Sequence, residues 1–136
     1  MTDDEFLAAF EATAFTRPEW THEAHVRMAW LYLTRLPVAE ALERVRHGIQ
    51  KLNASFGNAT GYHETITVAF VRVIAARVTR DEVYLAFRDR NPDLFDRTLP
   101  ALLRHYSKDR LHSAEARNGF IGPDLEPLPH PGWVHS

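Results

Sequence analysis

Between Thr21 and Pro37 the apolar residues recur at the spacing of an α-helix, and no other stretch limits the fold as strongly. At about 100° per residue, His22, His25, Val26, Ala29, Tyr32, Leu33 and Leu36 fill one arc, while Glu23, Arg27, Thr34 and Arg35 fall opposite. Thr21 is a suitable N-cap, and Pro37 marks the end of the helix. Glu23 and Arg27 are spaced as an i,i+4 ion pair. The two histidines therefore lie on the packing face.

The remaining chain extends the same pattern. Thr2-Asp3-Asp4-Glu5 fits a capping box for a helix to about Ala14 that buries Phe6, Leu7 and Phe10. Pro37 can also be the first residue of a third helix, to about Leu52, with Val38, Ala41, Leu42, Val45, Ile49 and Leu52 as its stripe. Residues 53–61 are rich in turn formers and read as a loop. A fourth helix, about 62–78, is apolar on several faces, with Ile66, Phe70, Val73 and Ile74 as its main stripe, which predicts a central position. Its β-branched residues leave a strand as an alternative, but its length favours a helix.

Thr79-Arg80-Asp81-Glu82 reads as a second capping box, for a helix to about Arg90 that partly buries Val83, Leu85, Ala86 and Phe87. Asn91-Pro92 opens a short turn through Phe95, Thr98–Tyr106 reads as another helix, and Ser113 opens a last short one. From Ile121 onwards the prolines concentrate, giving a tail that Leu125, Leu128 and Trp133 are expected to pin to the bundle. The fold class is all-α: a single-domain antiparallel bundle of about five to seven helices with an ordered Pro-rich tail.

Composition narrows the function. The 136 residues carry a net charge of −2 with no basic stripe, which argues against a nucleic-acid partner. The absence of cysteine excludes disulfides, thiolate metal sites and a cysteine nucleophile. No apolar run approaches the roughly 20 residues of a membrane span, and the acidic start is unlike a signal peptide, so a cytoplasmic location is expected. Eight histidines are the unusual feature.

Three of them are expected to converge. His22, His25 and His63 each sit in the first turn of a helix, and short connections between antiparallel neighbours would bring those turns to one end. An i,i+3 pair places its Cβ atoms about 5–6 Å apart, which suits two ligands on one ion. Three imidazoles leave coordination positions open for water or a small substrate, and nitrogen ligands suit zinc, iron, nickel or copper without choosing among them. Glu23 and Glu64 are the nearest carboxylates for general-base work, and Tyr62, His105 and Arg110 are further candidates for proton donation or for holding an anionic group. The same residues also fit a purely structural role as helix-start caps, and both readings stay open. His47 is expected to face solvent, and His112, His130 and His135 are given no role.

The motifs Trp20-Thr21-His22-x-x-His25, Gly61-Tyr62-His63-Glu64-Thr65-Ile66-Thr67, Arg104-His105-Tyr106-Ser107 and Pro123-Asp124-Leu125-Glu126-Pro127-Leu128-Pro129 together resemble an uncharacterised family of small bacterial all-helical proteins. The resemblance spans nearly the whole chain and implies that the C-terminal motifs belong to the same working unit as the histidines. It carries no activity. In type of site only, the chain is similar to DinB-like bundles, which hold a divalent metal through three histidines, one early and an H-x-x-x-H pair late. The function expected is a metal-binding protein, an enzyme using the ion as Lewis acid or hydroxide source on a small polar substrate. The alternative is a non-enzymatic ligand-binding or interaction module, with a homodimer compatible with either.

Overall fold

Capping decides where most of the helices begin. In the computed structural model, which describes residues 1–129, Thr2 and Glu5 close the expected box: Glu5 N–H donates to Thr2 Oγ1 (3.1 Å) and Thr2 N–H to Glu5 Oε1 (2.8 Å). Helix α1 then runs over Asp3–Glu11 and buries Phe6, Leu7 and Phe10. Thr21 caps α2, His22–Arg35, by accepting from Ala24 N–H (3.1 Å). Leu36 is extended, as a residue before proline prefers, and ends the helix.

Pro37 is extended too, with ψ 150°, so it stands outside α3 (Val38–Ser55) as its N-cap and not as its first residue. Helices α1 and α3 approach closely at Gly48, where a Cβ would fall 2.2 Å from the Phe10 ring edge at Cε2. Helix α4, Glu64–Arg77, packs against α2 and α3 and lies at the centre, as its apolar faces predicted. Its buried residues include Thr65, Val68, Val71, Val73 and Ile74, whereas Ile66 and Phe70 of the expected stripe are only half-buried because they face a cavity.

The second half breaks into shorter pieces than the periodicity suggests. Asp81 takes a left-handed conformation (φ 62°), so the helix expected from Thr79 starts only at α5, Tyr84–Arg90. Its inward face then carries Tyr84 and Phe87, and Val83 and Leu85 are left 67% and 57% exposed instead of partly buried. Glu82 accepts from Arg90 (2.7 Å), tying the loop to the end of the helix. The helix expected over Thr98–Tyr106 is shortened to α6, Pro100–Leu103, an unexpected turn α7 follows at Lys108–Leu111, and the last short helix expected from Ser113 is α8, Ala114–Asn118. Extended caps at Ser107 and Ser113 separate these turns, and each hydroxyl accepts an N–H of the turn that follows. Among the described residues there are eight α-helices, two turns of 3-10 helix and no strand. No helix among them is long and apolar enough to cross a membrane.

Residues 119–129 lie against α4 and the α6–α7 turn as a strap, held through its backbone. Thr65 Oγ1 donates to Gly119 O (2.8 Å) and accepts from Ile121 N–H (3.1 Å). Tyr106 OH donates to Ile121 O (2.6 Å), and Arg110 Nε to Gly122 O (2.6 Å). Asp124 accepts from Ser107 N–H (2.8 Å), Leu125 N–H donates to His105 O (2.9 Å), and Arg72 reaches Pro129 O (3.0 Å). Proline removes donors but leaves carbonyls, and these side chains satisfy them. Leu128 of the strap is buried, Leu125 is 57% exposed against expectation, and Trp133, His130 and His135 lie outside the described residues.

Candidate functional site

The first turn of α2 places His22 and His25 on the wall of one cavity, and each ring is fixed by a backbone carbonyl. His25 Nδ1 lies 2.7 Å from Thr21 O, one turn back on the same helix. His22 Nε2 lies 2.9 Å from Leu94 O, on the segment that follows α5. A carbonyl only accepts, so these nitrogens carry the protons and His22 Nδ1 and His25 Nε2 are left with lone pairs in the neutral rings. The Trp20 indole stacks on His25 with 3.8 Å between centroids and fixes the face of the ring. Burial pulls the His25 pKa down to about 4, against the opposing pull of the Thr21 carbonyl; His22 nearby adds to the drop. His25 is therefore neutral at physiological pH.

The cavity lies among α2, α3 and α4 and measures about 620 Å³, within the range of small-molecule sites. Val26, Met28 and Ala29 of α2, Val45 and Ile49 of α3 and Ile66, Phe70 and Ile74 of α4 supply apolar wall, and Phe95 and Leu99 also line it. Leu99 has a left-handed backbone (φ 61°, ψ 44°), a conformation costing a non-glycine residue about 1–2 kcal/mol. It is held there because its carbonyl accepts the N–H groups of Leu102 and Leu103, both at 3.0 Å. Arg97 lines the cavity too and stands exposed.

His63 is elsewhere. The His22 ring faces Phe70 (centroids 5.8 Å apart), seven residues along α4 from His63, or about 10 Å at the helical rise. His63 is the N-cap of α4: its Nδ1 accepts from Ile66 N–H (3.1 Å) and its Nε2–H donates to Leu111 O (2.7 Å). Both nitrogens are occupied, and burial holds its pKa below the ordinary value. The structure thus joins His22 with His25 and separates both from His63. Among the described residues no group of three or more His, Cys, Asp or Glu side chains is placed to hold a metal ion.

Glu64 and Tyr62 meet at the N-terminal end of α4, outside the cavity. Arg46 grips Glu64 through two nitrogens (3.0 and 2.7 Å), and Tyr62 OH donates to the same carboxylate (2.5 Å). Those arginine hydrogen bonds hold the Glu64 pKa below the ordinary range, while burial and then the Glu64 contact push Tyr62 up to about 12. Glu64 is a fixed anion and Tyr62 a fixed donor. Glu23 lines the cavity mouth but turns to Tyr84 OH (3.2 Å) and Arg88, and Arg27 pairs with Asp3 (2.9 Å) instead of the expected Glu23. His105 and Arg110 contact the strap, with His105 Nδ1 3.1 Å from Glu126 O.

Trp20, Phe70, Arg97 and Leu99 belong to the cavity although the pattern of polar residues did not single them out. Trp20 had a signal, since it opens the Trp-Thr-His motif; Arg97 and Leu99 reach the cavity only through the turn at Leu99. Comparison with protein-family models, with curated proteins and with solved structures finds no match.

Proposed function

We propose that this chain is a small-molecule-binding protein whose working site is the cavity among α2, α3 and α4, with His22 and His25 as the groups that read the ligand. One observation carries the reading. Two imidazoles, each with one N–H committed to a backbone carbonyl, stand in the wall of a mainly apolar cavity of about 620 Å³. A neutral ring in such a place offers a lone pair to a hydroxyl or N–H group, and the apolar wall supplies most of the binding free energy.

A second reading keeps the metal expected from the sequence, in reduced form. A carbonyl on the far nitrogen is what orients metal-bound histidines, so the same pair would suit a divalent ion whose other positions are filled by ligand or water. With His25 neutral down to about pH 4, protons would not compete for that ring near neutrality. A three-histidine site would require His63 to give up Ile66 and Leu111.

N-phenyl-1-naphthylamine, a neutral apolar fluorophore bearing an N–H, tests the first reading. Saturable binding with quenching of Trp20, lost on cavity-filling Ala29→Phe, supports it. Absence of saturable binding to folded protein would sink it. Calorimetry with zinc or nickel alone addresses the second reading, which requires one ion per chain in the wild type and none in His25→Ala.

A further inference from the structure

We infer that the ligand of this cavity is an amphipathic organic acid: an apolar body, a hydroxyl or N–H group that donates to the imidazole pair, and a carboxylate that sits at Arg97. The inference rests on the cavity reading above and adds the chemical class. Three features combine. The wall is mainly aliphatic and aromatic, so the body of the ligand is apolar. The nitrogens of His22 and His25 that do not face Leu94 O and Thr21 O are acceptors in the neutral rings. A ligand placing a bare carboxylate against those lone pairs would be repelled, whereas one placing a donor there would be held.

The charge at the rim has the opposite preference. Arg97 lines the cavity mouth and is exposed, and no ion pair among the described residues includes it. The carboxylate next to it in sequence, Asp96, is engaged by Thr98 N–H (2.9 Å) and Thr98 Oγ1 (2.7 Å). Glu23, the other acid at the mouth, faces Tyr84 and Arg88. A guanidinium beside an apolar opening selects a planar carboxylate, which it meets through two parallel hydrogen bonds. Donor within and anion at the rim fix the orientation of the ligand.

Three related probes separate these contributions: 3-(4-hydroxyphenyl)propionate, its 4-methoxy counterpart, which lacks the donor, and its amide, which lacks the charge. Calorimetry at pH 7.5 is expected to show the hydroxy acid binding about five- to tenfold more tightly than either. Arg97→Gln, an exposed substitution that leaves the core untouched, should abolish the acid-over-amide preference and keep the hydroxy-over-methoxy preference. His22→Phe should do the reverse, and its circular dichroism establishes that it folds. Equal binding of acid and amide by the wild type overturns the assignment of Arg97, and equal binding of hydroxy and methoxy forms overturns that of the imidazoles. If the naphthylamine probe binds and none of these three compounds does, the ligand class is wrong while the cavity reading stands. If the naphthylamine also fails, the cavity reading falls with it.

Discussion

His63 shows how one side chain can look like a ligand and serve as a joint. Its ring caps α4 through Ile66 N–H and ties the α7 end through Leu111 O, so removing it orphans a donor and an acceptor together. Loss of a cap costs about 1 kcal/mol and an unsatisfied buried partner about 1–3 kcal/mol. His63→Ala is therefore expected to lower unfolding free energy by about 2–4 kcal/mol in urea titrations. His63→Asn, whose amide can still cap, should recover part of that. His25 makes a different prediction, through pH. Its folded pKa, about 4, lies below the ordinary 6.5, so between those values the unfolded chain binds the extra proton. Stability from this group is fully present above about pH 6.5 and is lost as pH falls toward 4. With the ring only half-buried, the wild type should lose about 1–3 kcal/mol more than His25→Gln between pH 7 and pH 4.5. Equal pH slopes would contradict a ring held neutral in the folded chain. The helical phase of the sequence shows that His22 and His25 share a face; the partners of a ring nitrogen depend on Leu94 and Leu111, carbonyls 72 and 48 residues away that no local pattern names.

At the scale of the elements, the helices carrying long periodic stripes are legible and those decided by one residue's backbone are not. The stripes of α2, α3 and α4 have to be buried whatever their neighbours, so periodicity finds them. Asp81, Leu99 and Ser107 interrupt the second half by conformation and capping, and residues with ordinary helix propensity conceal those breaks. The strap is expected as an ordered tail, but not the way it is held, in which Thr65, Tyr106, Arg110 and Arg72 satisfy its carbonyls one by one. The Tyr-His-Glu-Thr and Arg-His-Tyr-Ser motifs gain a structural meaning here, since several of their residues hold the strap. Thr65→Val keeps the shape and leaves Gly119 O and Ile121 N–H without their partner. It should cost about 2–3 kcal/mol and speed amide exchange over 119–125 before the rest of the chain. Unchanged exchange there would mean that the strap is held by Leu128 alone. Gly48→Ala should destabilise the α1–α3 contact by about 1–3 kcal/mol, because Phe10 is 1% exposed and has little room to shift.

For the molecule as a whole, the consequence of the cavity is a conflict between stability and binding. A space of about 620 Å³ among three helices leaves dispersion contacts unmade, while elsewhere aromatic rings pack closely, at Phe10, Phe15 and Trp20 and at Trp30, Tyr84 and Phe87. A bundle under no demand to bind could close such a space with larger side chains. Ala29, on α2 at the wall and 4% exposed, is the position at which to impose that closure. Ala29→Leu adds apolar surface where space already exists, so it should raise stability by about 0.5–2 kcal/mol, the range common for cavity-filling changes. The same substitution should weaken binding of N-phenyl-1-naphthylamine at least several-fold. Saturating probe, by contrast, should stabilise the wild type by about 2.7 kcal/mol at a hundred times its Kd. The variant and the ligand then act on the same empty space, and their stabilising effects should fail to add. Full additivity, measured by urea unfolding of each protein with and without probe, would place the probe somewhere other than between α2, α3 and α4.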